Sequence, residues 1–215
     1  FLKEPVKSEV LNDVNGDLCN LYRVVKYHLH EFVNHFRWTL ASREHWNHLQ
    51  ITPVETLTDI QRAARFFFLQ RQAFGGRVEG RTFGVSTTGK PNLNLLRIEE
   101  ELSAAHLRLA EVTIERLDWS ACVERYDRPF TLHFMDPPYW QTEGYGVPFE
   151  LCQYERMAEA MRTMKGKAIV TVNDVPDMRT AFAGLPFKRV RISYSVGRNQ
   201  KSKAERHELL VRNWK

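Results

Sequence analysis

The chain has 215 residues, which suits one domain or one domain with a sizeable insertion. Its 43% hydrophobic content is enough for a packed core, and no run of residues approaches the roughly 18 apolar positions of a membrane span. The net charge of +5 is a mild basic bias, and the three cysteines lie far apart without a Cys-x-x-Cys pair, which argues against a disulfide scaffold or a metal site and favours a cytoplasmic protein.

The first third of the chain is predicted to be mainly helical. A short strand at 8–13 precedes a long amphipathic helix at 17–37, in which apolar residues recur at helical spacing. A second helix is predicted at 58–72, with Thr56 or Thr58 near its N-cap. The histidines of the first helix lack partners at metal-ligand spacing, so we expect no metal site there.

The remainder of the chain alternates between strands and helices. Residues 73–94 are rich in glycine, threonine and proline, which indicates a long loop, and loops of that length are usually functional. Strands are predicted at 112–114, 131–135, 168–172, 190–195 and 208–211, and helices at 95–109, 120–126, 149–164 and 177–183. This alternation predicts an α/β fold with a mostly parallel sheet, helices on both faces and an antiparallel final hairpin.

Basic residues cluster in two turn-rich stretches. They suit a phosphate-binding surface, although ordinary solvated charge is an equally good interpretation of composition alone. The candidate DNA-binding residues in these stretches are Arg71, Arg77, Arg81, Lys90, Arg198, Lys201 and Lys203.

The segment most suggestive of chemistry is Asp136-Pro137-Pro138-Tyr139, which follows an apolar strand directly. Two prolines fix φ and remove two amide donors, so the strand ends there and a stiff loop projects from its carboxyl end. Ligands of α/β sheets bind beyond the carboxyl ends of the strands. The loop therefore presents a carboxylate, a carbonyl and an aromatic ring at a predicted ligand site.

Those three groups suit the activation of an exocyclic aromatic amine. The Asp136 carboxylate and the Pro137 carbonyl can accept hydrogen bonds from both N–H groups, which localises the nitrogen lone pair. Tyr139 can stack on the base and offset developing positive charge. A base in duplex DNA must be flipped out to reach such a pocket.

This loop resembles the signature of the Dam-type family of DNA adenine methyltransferases. The resemblance implies a Rossmann-like catalytic domain formed by residues 1–40 and 109–215, with a target-recognition insertion at about 41–108. It also implies S-adenosylmethionine as methyl donor, no metal, and double-stranded DNA as substrate. Catalysis is then assigned to the whole loop, Asp136, Pro137, Pro138 and Tyr139. We expect a monomer.

Other segments extend the resemblance over most of the chain. Asp13 ends the first strand, where the family's acidic residue binds the cofactor ribose. Asp118 and Trp119 resemble the family's Asp-Phe pair, which implies that Asp118 accepts from the cofactor's adenine amine while Trp119 packs on or beside that ring. Asp136 is expected to border the cofactor as well.

Two departures from the family pattern leave alternatives open. The glycine-rich Phe-x-Gly-x-Gly turn is absent and would lie just upstream of Phe1, so we expect that the sequence is a truncation. Gln70 stands where close relatives often have asparagine, so the recognised DNA site is not transferable. The alternatives are a catalytically inactive DNA-binding remnant and an amine methyltransferase that acts on cytosine or another substrate.

Overall fold

The computed structural model describes residues 4–40, 42–73, 95–142, 148–192 and 206–215. The chain folds as mixed α/β structure and divides into two units, Phe1–Cys122 and Val123–Lys215. Among the described residues, no helix is long and apolar enough to cross a membrane. The predicted loop at 73–94 lies outside the described residues apart from Ala73, as does the segment at 193–205.

The first unit contains a two-stranded parallel sheet and most of the helices. Strand β1 (Glu9–Asn12) pairs with β2 (Val112–Glu115) in the register Glu9 to Val112. Its helices are α1 (Gly16–Tyr27), α2 (Leu29–His35), α3 (Arg43–Ile51), α4 (Asp59–Gln72) and α5 (Leu95–Leu109). Helix α6 (Trp119–Tyr126) includes the boundary between the two units.

The core of the first unit forms around the aromatic residues of α4. The Phe67 ring meets Phe32 edge-on at 5.7 Å between centroids and Phe36 at 5.5 Å. Val24 of α1 and Leu109 of α5 join the same apolar cluster and are almost completely buried. Burial of several aromatic side chains in one cluster is a large stabilising contribution for a unit of this size.

The prediction of a single helix at 17–37 is wrong, because the chain leaves the helical conformation at His28 (φ −135°, ψ 35°). Apolar periodicity continues on both sides of this residue, so the sequence pattern alone resembles one helix. The break lets α2 take its own direction, and its Phe32 and Phe36 then pack against Phe67 of α4. Tertiary packing of the aromatic rings therefore prevails over local helix continuity.

The start of α4 confirms the predicted helix and its cap. The Thr58 hydroxyl accepts a hydrogen bond from the Gln61 amide, and the Gln61 side chain accepts one from the Thr58 amide. This reciprocal capping box satisfies two main-chain donors that the helix itself cannot use. Helix α3, capped by Ser42, was not predicted, since its apolar residues are too few to show a clear period.

In the described part of the second unit, a four-stranded sheet is accompanied by the end of α6 and two further helices. Its strands are β3 (Leu132–Met135), β4 (Lys167–Asn173), β5 (Phe187–Ile192) and β6 (Arg206–Arg212), in the order β3-β4-β6-β5. The two further helices are α7 (Leu151–Thr163) and α8 (Pro176–Ala181). Strands β5 and β6 form the antiparallel hairpin that the sequence predicted.

The prediction of one mostly parallel sheet holds only in part. Strand β3 pairs with β4 in parallel, whereas β6 is antiparallel to both β4 and β5. The apolar composition of residues 131–135 favours a buried strand, but among the described strands β3 lies at the edge of this sheet, and Leu132 and Phe134 are 59% and 63% exposed. An apolar run indicates a strand but does not fix its place in the sheet.

Candidate active site

The loop that follows β3 begins where the parallel pairing of β3 with β4 ends. Met135 is the last residue in register, opposite Val170, so the next residues on the two strands, Asp136 and Thr171, lie side by side. Asp136 is exposed, whereas the following Pro137 is buried. The strand thus ends at the predicted position, and the loop starts with an accessible carboxylate at the carboxyl edge of the sheet.

The Asp136 carboxylate is held from inside the sheet. Its Oδ1 atom accepts a hydrogen bond from the hydroxyl of Thr171, which is only 9% exposed. A hydrogen bond to an ionised acceptor is stronger than one between neutral groups, so this contact restrains the plane of the carboxylate.

The end of the loop is fastened by Asn173, the last residue of β4. Its side-chain carbonyl accepts from the Trp140 amide at 3.0 Å, and its side-chain amide donates to the Trp140 carbonyl at 3.0 Å. The Trp140 indole also donates to Asp177 of α8 at 2.7 Å. Both main-chain groups and the side chain of Trp140 therefore have fixed partners.

The middle of the loop rests on Tyr154 of α7. The Tyr154 hydroxyl donates to the Pro138 carbonyl, and its fully buried ring meets the Trp140 ring at 5.9 Å between centroids. The Pro138 carbonyl therefore points toward α7. Three side chains from two different elements, Thr171, Asn173 and Tyr154, hold the four-residue loop and its flank.

In the first unit, too, an asparagine at the end of one parallel strand holds the main chain of the segment that follows the neighbouring strand. Asn12, the last residue of β1, accepts from the Leu117 amide at 2.9 Å and donates to the Leu117 carbonyl at 3.1 Å. This fixes the segment after β2, next to Asp118. Asp13 follows β1 directly, so Asp13 and Asp118 both lie at the carboxyl edge of the two-stranded sheet.

Each of these two aspartates has a local structural partner as well. Asp13 Oδ1 accepts from the Asn15 amide at 2.7 Å in the turn before α1. Asp118 Oδ1 accepts from the amide of Ser120 at 2.9 Å and from its hydroxyl at 2.5 Å, at the start of α6. Trp119 is half-buried in the first turn of that helix. Both carboxylates thus lie at the carboxyl edge of the two-stranded sheet, Asp13 partly exposed and Asp118 exposed.

Of the predicted DNA-binding residues, only Arg71 lies within the described part of the chain. Its guanidinium pairs with Glu101 of α5 and lies 5.1 Å from the centroid of the Phe67 ring. The other six, Arg77, Arg81, Lys90, Arg198, Lys201 and Lys203, lie outside the described residues.

A cluster of charged side chains lies next to Asn173. The Asp174 side chain is only 5% exposed and accepts from Arg179 Nε at 2.6 Å and from Arg189 Nε at 2.7 Å. The hydrogen bond from Arg179 lowers the pKa of the Asp174 carboxyl; burial opposes this shift and Arg189 adds to it. The cluster ties α8 and β5 to the end of β4.

Sequence reasoning missed Thr171, Asn173, Tyr154 and Asn12. Polar residues at or near the end of an apolar strand are a usable signal, because they lie where a neighbouring loop needs hydrogen-bond partners. Tyr154 carries no such signal, since its pattern on α7 is that of an ordinary core residue.

Comparison with known proteins identifies the family of the chain. Residues 1–188 match the family described as D12 class N6 adenine-specific DNA methyltransferase. The chain is similar to "DNA adenine methylase" from Haemophilus influenzae, at 22% identity over 98% of this chain and 79% of that protein. It is also similar to "DNA N-6-adenine-methyltransferase" from Escherichia phage P1, at 25% identity over 87% of this chain and 27% of that protein.

Proposed function

The chain belongs to the D12 class of N6 adenine-specific DNA methyltransferases, and we propose that it transfers the methyl group of S-adenosylmethionine to the N6 amine of an adenine flipped out of double-stranded DNA. The family match establishes the class of reaction and of substrate. The donor, the flipped base and the roles of individual residues are the proposal.

The cofactor is assigned to the edge formed by Asp13 and Asp118. Carboxylate acceptors suit the hydroxyl groups of a ribose and the amine of an adenine, and Trp119 offers an aromatic surface beside them. S-adenosylmethionine supplies an electrophilic methyl group on a positively charged sulfur. These acceptor groups and the indole thus fit the cofactor, and residues 1–40 and 109–215 would form the Rossmann-like catalytic domain.

The loop after β3 activates the amine. Asp136 and the Pro137 carbonyl accept hydrogen bonds from its two N–H groups, which concentrates the nitrogen lone pair. The nitrogen would gain one bond to the methyl carbon while the carbon–sulfur bond of the donor breaks and its electron pair stays on sulfur. It would also lose one proton, which the exposed Asp136 carboxylate can pass to water. Tyr139, the half-buried last residue of the loop, stacks on the base and stabilises developing positive charge.

DNA is assigned to the basic stretches, with the recognition insertion at about 41–108. Arg71, Arg77, Arg81 and Lys90 would contact DNA from the insertion, and Arg198, Lys201 and Lys203 from the segment between β5 and β6. Such contacts neutralise phosphates and make binding strongly dependent on salt. The enzyme is proposed to act as a monomer in the cytoplasm and without a metal ion.

The observation that carries the proposal is the exposed Asp136 carboxylate, held by Thr171 at the carboxyl edge of a sheet within the matched region. Its test is methyl transfer to unmethylated DNA by the wild type and by Asp136→Ala. We expect the variant to lose at least 10²–10³ in rate, on the order of the loss of one preorganised polar contact.

Glu155→Ala is the matched control, because Glu155 is an exposed carboxylate of the same unit, on α7. It should keep the wild-type rate. A folded Asp136→Ala protein with wild-type turnover would contradict the assigned role of the loop.

A further inference from the structure

Thr171 lies at a rigid position of the second unit. It belongs to β4, which has β3 on one side and β6 on the other, and it pairs with Leu210 of β6. The residues on either side of Thr171, Val170 and Val172, are completely buried. A β-branched side chain in such a strand has little rotamer freedom, so the hydroxyl is a donor in a fixed place.

The partner of that hydroxyl is less constrained by packing. Asp136 is an exposed residue in the first position of a loop, and an exposed carboxylate can rotate about two side-chain bonds. Thr171 binds its Oδ1 atom, whereas Oδ2 receives no hydrogen bond from the residues that the structure describes. One oxygen is thus anchored in the sheet while the other remains available.

We propose that Thr171 is a positioning residue for methyl transfer: its hydroxyl fixes the plane of the Asp136 carboxylate so that Oδ2 faces the adenine amine. This inference rests on the proposed function of the loop. A carboxylate oriented before the substrate arrives needs no reorganisation during the reaction, which is where preorganised polar groups contribute most to rate.

The competing explanation is purely structural. A hydroxyl that is nine-tenths buried needs a hydrogen-bond partner, and Asp136 supplies one. Replacement by valine separates the two explanations, because it keeps the shape and removes the group that needs the partner. A structural role would then show in stability alone, and a positioning role in turnover.

The experiment compares Thr171→Val and Thr171→Ser with the wild type of the full-length protein. Steady-state methyl transfer to DNA gives kcat and the KM values for DNA and for S-adenosylmethionine, with melting temperatures measured beside them. Thr131→Val is the control, since the Thr131 hydroxyl donates to the Tyr126 carbonyl at 2.7 Å before β3 begins, away from Asp136.

We expect Thr171→Val to lower kcat by about tenfold to hundredfold, the range of a hydrogen bond to a charged group. Both KM values should stay within about twofold, as expected when an interaction matters mainly in the transition state. Thr171→Ser should recover most of kcat because it keeps the hydroxyl, and Thr131→Val should leave kcat unchanged.

An active wild type with an equally active Thr171→Val variant would overturn the inference about Thr171 and leave the proposed function standing. A loss of kcat in Thr171→Val that Thr171→Ser does not recover, or a change mainly in KM, would also overturn it. A wild type that transfers no methyl group to DNA would overturn the proposed function and this inference together.

Discussion

Tyr139 and Asp136 have different proposed roles, and substitutions at Tyr139 can separate them. Tyr139 acts through the face of its ring, so Tyr139→Phe and Tyr139→Trp should keep measurable methyl transfer. Tyr139→Ala should lose most of it, because base–aromatic stacking contributes roughly 1–3 kcal/mol. Rates and melting temperatures measured on the same three variants test this prediction.

The outcome that would contradict this role is a rate that follows stability across the series. If phenylalanine and alanine both reduced the rate in proportion to the lost melting temperature, Tyr139 would only hold the loop. Its main-chain carbonyl already has such a role, since it accepts from the Thr142 amide at 3.0 Å. The main-chain carbonyl would hold the loop, whereas the ring would stack on the base.

Residue types predicted where the loop begins but not which side chains hold it. The two prolines and the preceding apolar strand located Asp136 correctly at the end of β3. Its partner Thr171 is 35 residues further along the chain, and a contact of that separation depends on strand pairing. One sequence without related sequences does not reveal such a pair.

At the scale of secondary-structure elements, Asp174 connects three of them. It joins the end of β4 to α8 through Arg179 and to β5 through Arg189. The pKa of its carboxyl is lowered, so its ionised form stabilises the folded state. This contribution is complete above the unfolded pKa, about 3.9, and is lost as pH falls through the lower folded value.

We therefore expect Asp174→Asn to melt below the wild type at neutral pH by a constant difference down to about pH 5. The difference should shrink as pH falls below about 4, where the wild type loses its charge. Glu159→Gln is the control, because Glu159 is a largely exposed partner of Arg162 and such pairs contribute little. A difference for Asp174→Asn that did not change with pH would contradict this account.

The elements themselves were predicted with uneven success, for physical reasons. Helix α5 has the predicted bounds, and the final hairpin is present, although its first strand begins three residues before the predicted start. The break at His28 does not follow the apolar periodicity of the chain, because it depends on the packing of α2 on α4. The order of the strands could not be predicted from the local sequence either, because β6 lies between β4 and β5 although it follows both in the chain.

At the scale of the whole molecule, the family match spans residues 1–188 and thus parts of both units. The match includes the edge that carries Asp13 and Asp118 and the loop that carries Asp136. Sequence motifs alone predicted this family, because the Asp-Pro-Pro-Tyr loop has both the residue types of the family signature and a position after an apolar strand. The recognised DNA site depends on residues that the motifs do not determine.

The most direct test of the central claim is the identity of the methylated nucleoside. The full-length protein is incubated with unmethylated DNA and S-adenosylmethionine labelled in its methyl group, and the DNA is then digested to nucleosides and separated. We expect the label in N6-methyldeoxyadenosine. Label in a methylated cytosine, or binding of DNA without any label transferred, would contradict it.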